Sequence, residues 1–252
     1  MKSIRFFFLP ILFFCTVHLA SAETISGTDD NITWTLDLGS GTLAIEGKGA
    51  MRDYKDENAT PWSSYRKYIN SIIISPGITR VGNFAFSTCA LKEAVSLPDG
   101  IESIGRNSFE LTYLTQLHLP ETILRIEESA FAFCYYLSHI NFPNSLKRIE
   151  EEAFYVCWSL KEAFLPEGLS YIGDRAFFSA GSQSSGLAYR IPEGLSYLGT
   201  GVFEASGIVE VVLPEDITKI PDFTFGGCTK LSSITIPATV NEIGRGAFNY
   251  SI

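Results

Sequence analysis

The stretch LPETILRIEESAFAFCYYL, residues 119–137, contains the spacing that decides the fold of this 252-residue chain. Aliphatic residues follow Pro120 at three and six positions, and a phenylalanine follows it at eleven. Just before the proline, Leu117, His118 and Leu119 alternate between apolar and polar, which is typical of a strand with one buried face. The stretch therefore predicts a strand, a corner at the proline and a compact apolar turn.

The same spacing recurs along most of the chain. Prolines hold the equivalent point of eight units: Pro76, Pro98, Pro120, Pro143, Pro166, Pro192, Pro214 and Pro237. A phenylalanine lies eleven residues later in seven of them, and ten later in the shorter first unit: Phe86, Phe109, Phe131, Phe154, Phe177, Phe203, Phe225 and Phe248. One such unit cannot enclose its own apolar face, whereas stacked copies bury one continuous core. The repeat predicts a mainly β or mixed solenoid, whose ~23-residue coils each have one parallel strand, a second short extended segment and a tight helical turn of the 3₁₀ kind.

The first 22 residues have the pattern of a signal peptide. Lys2 and Arg5 precede an apolar run that ends in the small residues Ala20-Ser21-Ala22, so we predict cleavage after Ala22 and export to the periplasm, cell surface or medium. An uncleaved membrane anchor is the alternative, although the run is shorter than the ~20 residues that a span needs. Without Lys2 and Arg5 the chain has 17 basic and 28 acidic residues, a net charge of −11. That balance argues against nucleic acid as a partner, and no later segment is long and apolar enough to span a membrane.

Four cysteines remain after the predicted cleavage: Cys89, Cys134, Cys157 and Cys228. They occupy one equivalent position of the repeat, which Ala180 and Ser206 fill in other units. A position that accepts cysteine, alanine or serine is a small buried site, so we expect free buried thiols. A Cys134–Cys157 disulfide between adjacent coils is the alternative, because stacked coils lie about 5 Å apart.

The pattern of residues 119–137, repeated from about Ser71 to Phe248, resembles the BspA-type leucine-rich repeat family of secreted and surface bacterial proteins. Residues 31–37 and 41–47 resemble the strand pair that precedes these repeats. After the signal peptide (1–22), the resemblance implies an N-terminal β-hairpin cap and lead-in (23–70) and a right-handed leucine-rich-repeat solenoid (71–252), with about eight repeats, the last incomplete. It also implies a protein that is not an enzyme and that often serves in adhesion. The family has no shared binding residues to carry over.

Two departures from the regular repeat carry expectations of their own. Residues 181–186, Gly-Ser-Gln-Ser-Ser-Gly, lengthen the unit between Pro166 and Pro192, and we expect them to bulge from the surface as a flexible loop. The sequence also stops at Ile252, before the eighth unit reaches its next strand. Either this half-coil serves as a short cap, or the open end pairs with something else.

The sequence contains no recognisable catalytic constellation. It has neither a glycine-rich phosphate loop nor a Gly-x-Ser-x-Gly elbow. The two histidines after residue 22, His118 and His139, fall on outward positions of neighbouring strands, where a weak metal site is the alternative to ordinary exposed side chains. We therefore predict no catalytic residue, no metal and no cofactor.

The outward positions of the strands predict one continuous surface, the strand face. Its first row is Ile73, Ser96, His118, Asn141, Phe164, Arg190, Val212 and Thr235, and its second row is Ser71, Ala94, Gln116, His139, Glu162, Ala188, Glu210 and Ser233. Repeat proteins bind partners through such faces, and exposed aromatic and arginine side chains are frequent in binding sites. We predict a binding site for an extracellular protein or glycan at His118, His139, Asn141, Glu162, Phe164 and Arg190. The alternative function is a structural module that assembles through its C-terminal end.

Overall fold

The computed structural model describes residues 23–92, 94–161 and 164–251. The predicted signal peptide, 1–22, and one predicted site residue, Glu162, lie outside the described residues. Within those ranges, no helix reaches the length and apolarity that a bilayer crossing requires. The chain winds as a solenoid, and each coil is named below by the proline that follows its main strand.

Each coil of the solenoid has three sides. The first side carries the main strands, which are β5 (Ser71–Ile74), β7 (Val95–Ser96), β9 (Gln116–His118), β11 (His139–Asn141), β14 (Leu187–Arg190), β16 (Ile208–Val212) and β18 (Ser233–Thr235). The second side, the side ladder, carries β4 (Gly49–Ala50), β6 (Ile78–Val81), β8 (Ser103–Ile104), β10 (Arg125–Ile126), β12 (Arg148–Ile149), β13 (Tyr171–Ile172), β15 (Tyr197–Leu198), β17 (Lys219–Ile220) and β19 (Glu242–Ile243). Pairing within both sides is parallel, as in Leu117↔Ile140 and Ile126↔Ile149, which confirms the stacked coils.

Three antiparallel strands precede the coils: β1 (Thr24–Asp29), β2 (Ile32–Asp37) and β3 (Thr42–Gly47). Strand β3 then pairs in parallel with β5, which continues the sheet into the first coil. The sequence pointed to β2 and β3 but not to β1, whose exposed and half-buried residues alternate without a clear apolar face. A 3₁₀ helix, Ser63–Tyr68, leads from this region into β5.

The repeated phenylalanines form one stacked column through the middle of the coils. Neighbouring ring centroids lie 5.3 Å apart from Phe86 through Phe177, and the rings from Phe86 to Phe225 are fully buried. Trp62 extends the column at its N-terminal end, stacking on Phe86 at 6.1 Å and donating its indole N–H to the carbonyl of Ala85. Each ring therefore packs against equivalents above and below, and the single hydrophobic interior predicted from the spacing is confirmed.

The third side differs from the 3₁₀ turn that the sequence predicted. In the Pro120 coil, Ala130, Ala132 and Cys134 donate their N–H groups to residues three earlier. Between them, Ser129, Phe131 and Phe133 donate to the next coil, to Glu151, Ala153 and Tyr155.

The backbone conformation of this side explains why it is not a helix. Ser129 and Phe133 have φ of 52° and 59°, and every coil repeats positive φ at the same two places. A 3₁₀ helix needs negative φ throughout. Apolar residues three apart suit either structure, so the side-chain pattern alone could not separate a helix from these successive turns.

The inserted segment 181–186 does not bulge from the surface. Gly181 and Ser184 are buried, and the Ser184 hydroxyl donates to the Gly181 carbonyl at 2.7 Å. Lys230 reaches across from a later coil and donates to the carbonyls of Ser182 and Ser184 at 2.9 and 2.8 Å. The expected flexible loop is therefore a segment held against the solenoid, and its anchor lies 48 and 46 residues away in sequence.

The four described cysteines are free and buried. The Cys134 thiol donates to the carbonyl of Phe109 at 3.1 Å, and the Cys157 thiol donates to that of Phe131 at 3.2 Å. Burial raises the pKa of Cys134 to about 12. The expectation of buried thiols is confirmed, and the structure contains no Cys134–Cys157 disulfide.

Candidate functional site

The strand face brings the predicted residues of the central coils onto adjacent rungs. Asn141 pairs with His118 in the first row, and His139 pairs with Gln116 in the second. Farther along, Arg190 pairs with Val212. The paired rungs thus have the register expected from the sequence. The main strands nevertheless divide into three separate sheets, and Phe164 lies outside any strand, between β11 and β14.

The two histidines lie on neighbouring strands but in different rows. His118 is exposed, whereas His139 is half-buried and its Nδ1 contacts the Ser138 hydroxyl at 2.8 Å. Among the residues that the structure describes, no three His, Cys, Asp or Glu side chains come together as metal ligands would. The two imidazoles can therefore form hydrogen bonds with a partner, but the described residues do not form a cation site around them.

The Asn141 side chain is committed to the sheet itself. Its Oδ1 accepts from the N–H of Leu119 and its Nδ2 donates to the carbonyl of Leu119, both at 3.0 Å. This amide thus bonds both backbone groups of the neighbouring strand end, where backbone pairing would otherwise be expected. Asn141 belongs to the predicted surface by position, and its present contacts make it a structural residue of that surface.

Phe164 and Arg190 are the most available of the predicted residues. The Phe164 side chain is 75% exposed, the largest exposure of any described hydrophobic residue except Tyr250. The Arg190 guanidinium lies 3.8 Å from Glu167, and both side chains are largely exposed. A surface ion pair of this kind contributes little to stability, so Arg190 is free to exchange Glu167 for a partner's acceptor.

A cluster of four aromatic residues next to the strand face was not predicted from the sequence. Tyr113 and Tyr136 precede β9 and β11 by three residues and stack at 5.9 Å, with 49% and 54% exposure. Beside them, Tyr135 packs on Trp158 at 4.6 Å. We call these four residues the aromatic rim. The signal was present in the sequence, because all four stand fifteen or sixteen residues after their prolines, in adjacent coils.

The side ladder carries charged side chains that pair along the solenoid. Arg80 bonds Glu127 at 2.9 Å, and Glu150 receives both Arg125 at 2.9 Å and Arg148 at 2.7 Å. Glu127 and Glu150 each stand seven residues after the proline of their coil, so they occupy equivalent positions of the repeat. Each of these carboxylates is bound by at least one arginine, so the geometry does not resemble that of a catalytic carboxylate pair.

On the side ladder, one of these arginines also contacts one of a pair of stacked tyrosines. The Arg148 guanidinium lies 3.7 Å from the ring centroid of Tyr171, whose ring stacks on Tyr197 at 4.6 Å. Hydrogen bonding to Glu150 raises the pKa of Arg148, so it remains a cation throughout the accessible pH range. A cation over a tyrosine face is a favourable contact of roughly 0.5–1 kcal/mol at an exposed site.

These features define a leucine-rich-repeat solenoid with a strand face, an aromatic rim and a charged side ladder. The family described as BspA type Leucine rich repeat region matches residues 63–184 and 182–252, in six copies. The chain belongs to this BspA-type leucine-rich repeat family, and the predicted resemblance is confirmed.

Several solved structures are similar to this chain at low sequence identity. A leucine-rich repeat protein of T. pallidum, TpLRR, is 22% identical, with a TM-score of 0.58 over 89% of this chain and 88% of that one. The pneumococcal vaccine antigen PcpA is 17% identical, with a TM-score of 0.47 over 87% and 78%. A leucine rich cell surface protein from Faecalibacterium prausnitzii is 20% identical, with a TM-score of 0.39 over 89% and 86%. No curated protein matches the sequence.

Proposed function

We propose that this protein is an exported, non-enzymatic binding protein that recognises an extracellular protein or glycan through its strand face and aromatic rim. The observation that carries the proposal is the exposure of Phe164, a large aromatic ring at the first-row position of the Pro166 coil. Aromatic and arginine side chains contribute most of the binding energy in many interfaces. Phe164, Arg190 and the aromatic rim offer both types.

The structure of the face supports binding more readily than catalysis. The described cavities are grooves between coils. The His139 imidazole bonds the Ser138 hydroxyl next to it in sequence, but among the described residues no carboxylate bonds either histidine, as a hydrolytic triad would need. A binding face needs rigid display of side chains, which the stacked phenylalanine column and the paired strands provide. The signal-peptide pattern of residues 1–22 adds the expectation of export, to the periplasm, the cell surface or the medium.

The binding proposal is tested with the mature chain against arrays of extracellular-matrix proteins and glycans. For any partner found, Phe164→Ala and Arg190→Ala should each weaken binding by about tenfold, as expected for interface anchors. Ile73→Ala is the matched control, because Ile73 is exposed in the same row but lies in the first coil. Equal affinity of the native and Phe164→Ala proteins would reject the central strand face as the binding site.

Export is tested separately, so that its failure is not confused with loss of binding. Residues 1–22 are fused to a reporter enzyme that is active only outside the cytoplasm. Replacing Ala20 and Ala22 by bulky residues should block processing, because signal peptidase accepts small side chains there. A reporter that stays inactive behind the native segment would contradict export.

Self-assembly through the last coil is the second candidate function, and a specific observation favours it. In the Pro237 coil Ile243 is 54% exposed, whereas Ile220, the equivalent residue one coil earlier, is fully buried. A second copy could cover this apolar end. Sedimentation across a range of concentrations should then show association that Ile243→Lys abolishes, and a concentration-independent monomer would reject assembly.

A further inference from the structure

The hydrogen bonding between neighbouring strands of the side ladder is interrupted at one place, which we call the seam. Strands β4 to β15 form one seven-stranded sheet, and pairing resumes only with β17 and β19. Between β15 (Tyr197–Leu198) and β17 (Lys219–Ile220) the ladder is not hydrogen-bonded. The seam lies on the side ladder, away from the strand face of the proposed function.

A single proline explains the parting. At the position after the last side-ladder residue, the other coils use an N–H that bonds the preceding coil, as in Gly199 to Ile172 at 2.9 Å and Gly244 to Ile220 at 2.8 Å. Pro221 holds this position in the Pro214 coil and has no N–H. The bond to the Leu198 carbonyl therefore cannot form.

Four backbone groups are left open at the seam. In the Pro166 coil, Ser170 and Tyr171 donate to the Lys147 carbonyl at 3.0 and 3.2 Å. At the seam the equivalent donors are the N–H groups of Thr218 and Lys219, and the equivalent acceptor is the Ser196 carbonyl. Within the described residues these groups make no such bonds, and the Leu198 carbonyl receives no backbone donor. The seam thus presents both donors and acceptors of an unpaired strand edge.

Apolar side chains form part of the lining of the seam. Two adjoining cavities of about 250 and 370 Å³ share Tyr197, Leu198, Lys219 and Pro221 as lining residues. Leu195, Leu198 and Ile217 are half-buried, although the equivalent residues of the Pro98, Pro120 and Pro143 coils are fully buried. The parting therefore opens part of the hydrophobic core to a ligand.

The ring of Tyr197 is held in place at this opening. It stacks on Tyr171 and its hydroxyl donates to Asp174 at 3.0 Å, yet 42% of the residue remains exposed. One coil back, the equivalent ring of Tyr171 carries the Arg148 guanidinium at 3.7 Å. The exposed part of Tyr197 offers the same kind of surface for a cation from outside the chain.

The charges around the seam are mainly acidic. Asp216 lines the first cavity and Asp222 lines the second, while Asp174 sits at the Tyr197 hydroxyl. The one lysine of the lining, Lys219, is paired with Glu242 at 2.7 Å. The uncompensated charge is therefore negative, and it complements a basic ligand.

From these observations we propose that the seam binds an extended peptide segment with alternating apolar and basic side chains. The peptide backbone bonds the open groups of Ser196, Leu198, Thr218 and Lys219, which is recognition by strand addition. Its apolar side chains contact Leu195 and Ile217 in the lining of the first cavity. A lysine or arginine of the peptide lies against Tyr197, near Asp216 and Asp222.

The first experiment tests the seam without any ligand. In the full chain, the amides of Thr218 and Lys219 should exchange hydrogen at least tenfold faster than those of Ser170 and Tyr171. Pro221→Gly restores the N–H that Gly199 and Gly244 supply in flanking coils, so it should close the ladder and slow exchange at Thr218 and Lys219. Slow exchange at these two amides in the native protein would show that the seam is closed and overturn the proposal.

The second experiment uses defined probes and amide chemical shifts of the full chain. The acetylated, amidated octapeptide (Lys-Val)₄ should shift the signals of residues 195–198 and 216–220, whereas (Glu-Val)₄ and chitohexaose should not. Pro221→Gly should weaken (Lys-Val)₄ binding by tenfold or more, and Tyr197→Leu by about threefold. Phe164→Ala should leave this binding unchanged, which separates the seam from the strand face.

Three outcomes would overturn the peptide proposal. One is equal binding of (Lys-Val)₄ to the native protein and to Pro221→Gly, and another is equal binding of the basic and acidic octapeptides. The third is a response of the seam amides to chitohexaose alone, which would identify a glycan site. None of these results bears on whether Phe164 and Arg190 bind another partner.

Discussion

The coils from Pro98 to Pro143 and the coils on either side of the seam share one side-chain pattern but differ in how tightly they close. In the former, the side-ladder residues Ile104, Ile126 and Ile149 are fully buried, and neighbouring phenylalanine rings lie 5.3 Å apart. At the seam Leu198 is half-buried, and the rings of Phe203 and Phe225 are 5.8 Å apart. The apolar columns determine where a coil lies. The backbone N–H groups determine whether its side-ladder strand is hydrogen-bonded to that of the preceding coil.

The largest expected effect is in the tightly closed coils. Phe131→Ala should lower the free energy of unfolding by about 4 kcal/mol, because it removes a fully buried ring that contacts rings in both neighbouring coils. Phe131→Leu is the control and should cost about 1.5 kcal/mol, since it keeps most of the apolar volume. Urea unfolding followed by circular dichroism gives both values. A loss below about 2 kcal/mol for Phe131→Ala would mean that the column is not the main core.

A matched pair of substitutions compares the two regions directly. Ile126→Ala should cost about 3 kcal/mol, because its side chain is fully buried, whereas Leu198→Ala should cost only about 1 kcal/mol at the open seam. The same urea titration measures both variants. Equal losses would show that Leu198 is as well packed as Ile126, and the contrast between the regions would fail.

The buried thiols give a pH-dependent test of the same contrast. Burial raises the pKa of Cys134 to about 12, and it also raises the pKa of Cys228 beside the seam. A thiol in the unfolded chain has a pKa of about 8.5. The stability that the buried, protonated thiol of Cys134 contributes is therefore complete below that pH. It is lost by about 1.4 kcal/mol per pH unit as the pH rises toward the folded pKa.

Thiol labelling in the native state makes the comparison residue by residue. At pH 8.5 Cys134 should react with iodoacetamide only through rare opening of the fold, and Cys228 should react faster because its coils are less tightly closed. Cys134→Ser and Cys228→Ser identify the two labelled peptides by mass spectrometry. Faster labelling of Cys134 than of Cys228 would reverse the order of stability that we infer.

The smallest effect should be the same in both regions. Leu111 and Ala205 have φ of 55° and 57° at the same point of the third side, where glycine avoids the steric cost of a side chain. Leu111→Gly and Ala205→Gly should each raise the free energy of unfolding by up to about 1 kcal/mol, and the midpoint temperature of unfolding should rise slightly with it. Thermal unfolding is sufficient to detect this. A clear loss at either position would show that the side chain contributes more than the strain costs.

The sequence was sufficient to predict the coils because each apolar column repeats at a fixed distance from its proline. The columns of isoleucine and phenylalanine record burial directly, and burial is what the stacked architecture requires. The third side was predicted wrongly because the alternate N–H groups of residues 129–133 bond the next coil, and no side-chain pattern records that choice. The segment 181–186 was predicted wrongly because its anchor, Lys230, lies two coils away.

The candidate site was predictable by position but not by contact. The register of His118, His139 and Asn141 followed from the repeat, whereas the bonds between the Asn141 amide and Leu119 depend on local backbone geometry. The aromatic rim and Pro221 were both visible as departures from the repeat consensus. Both lie at variable positions of the unit, whereas the fold is encoded by its constant ones.

The tryptophans provide built-in fluorescent reporters at separate points along the solenoid. Trp62 is fully buried against Phe86 at the N-terminal end of the phenylalanine column, whereas Trp158 is half-buried in the aromatic rim of the central coils. Because each coil contacts mainly its neighbours, a solenoid can melt from one end. Single-tryptophan variants would therefore reveal, without any attached dye, whether the first coils and the middle coils lose their structure together or in sequence.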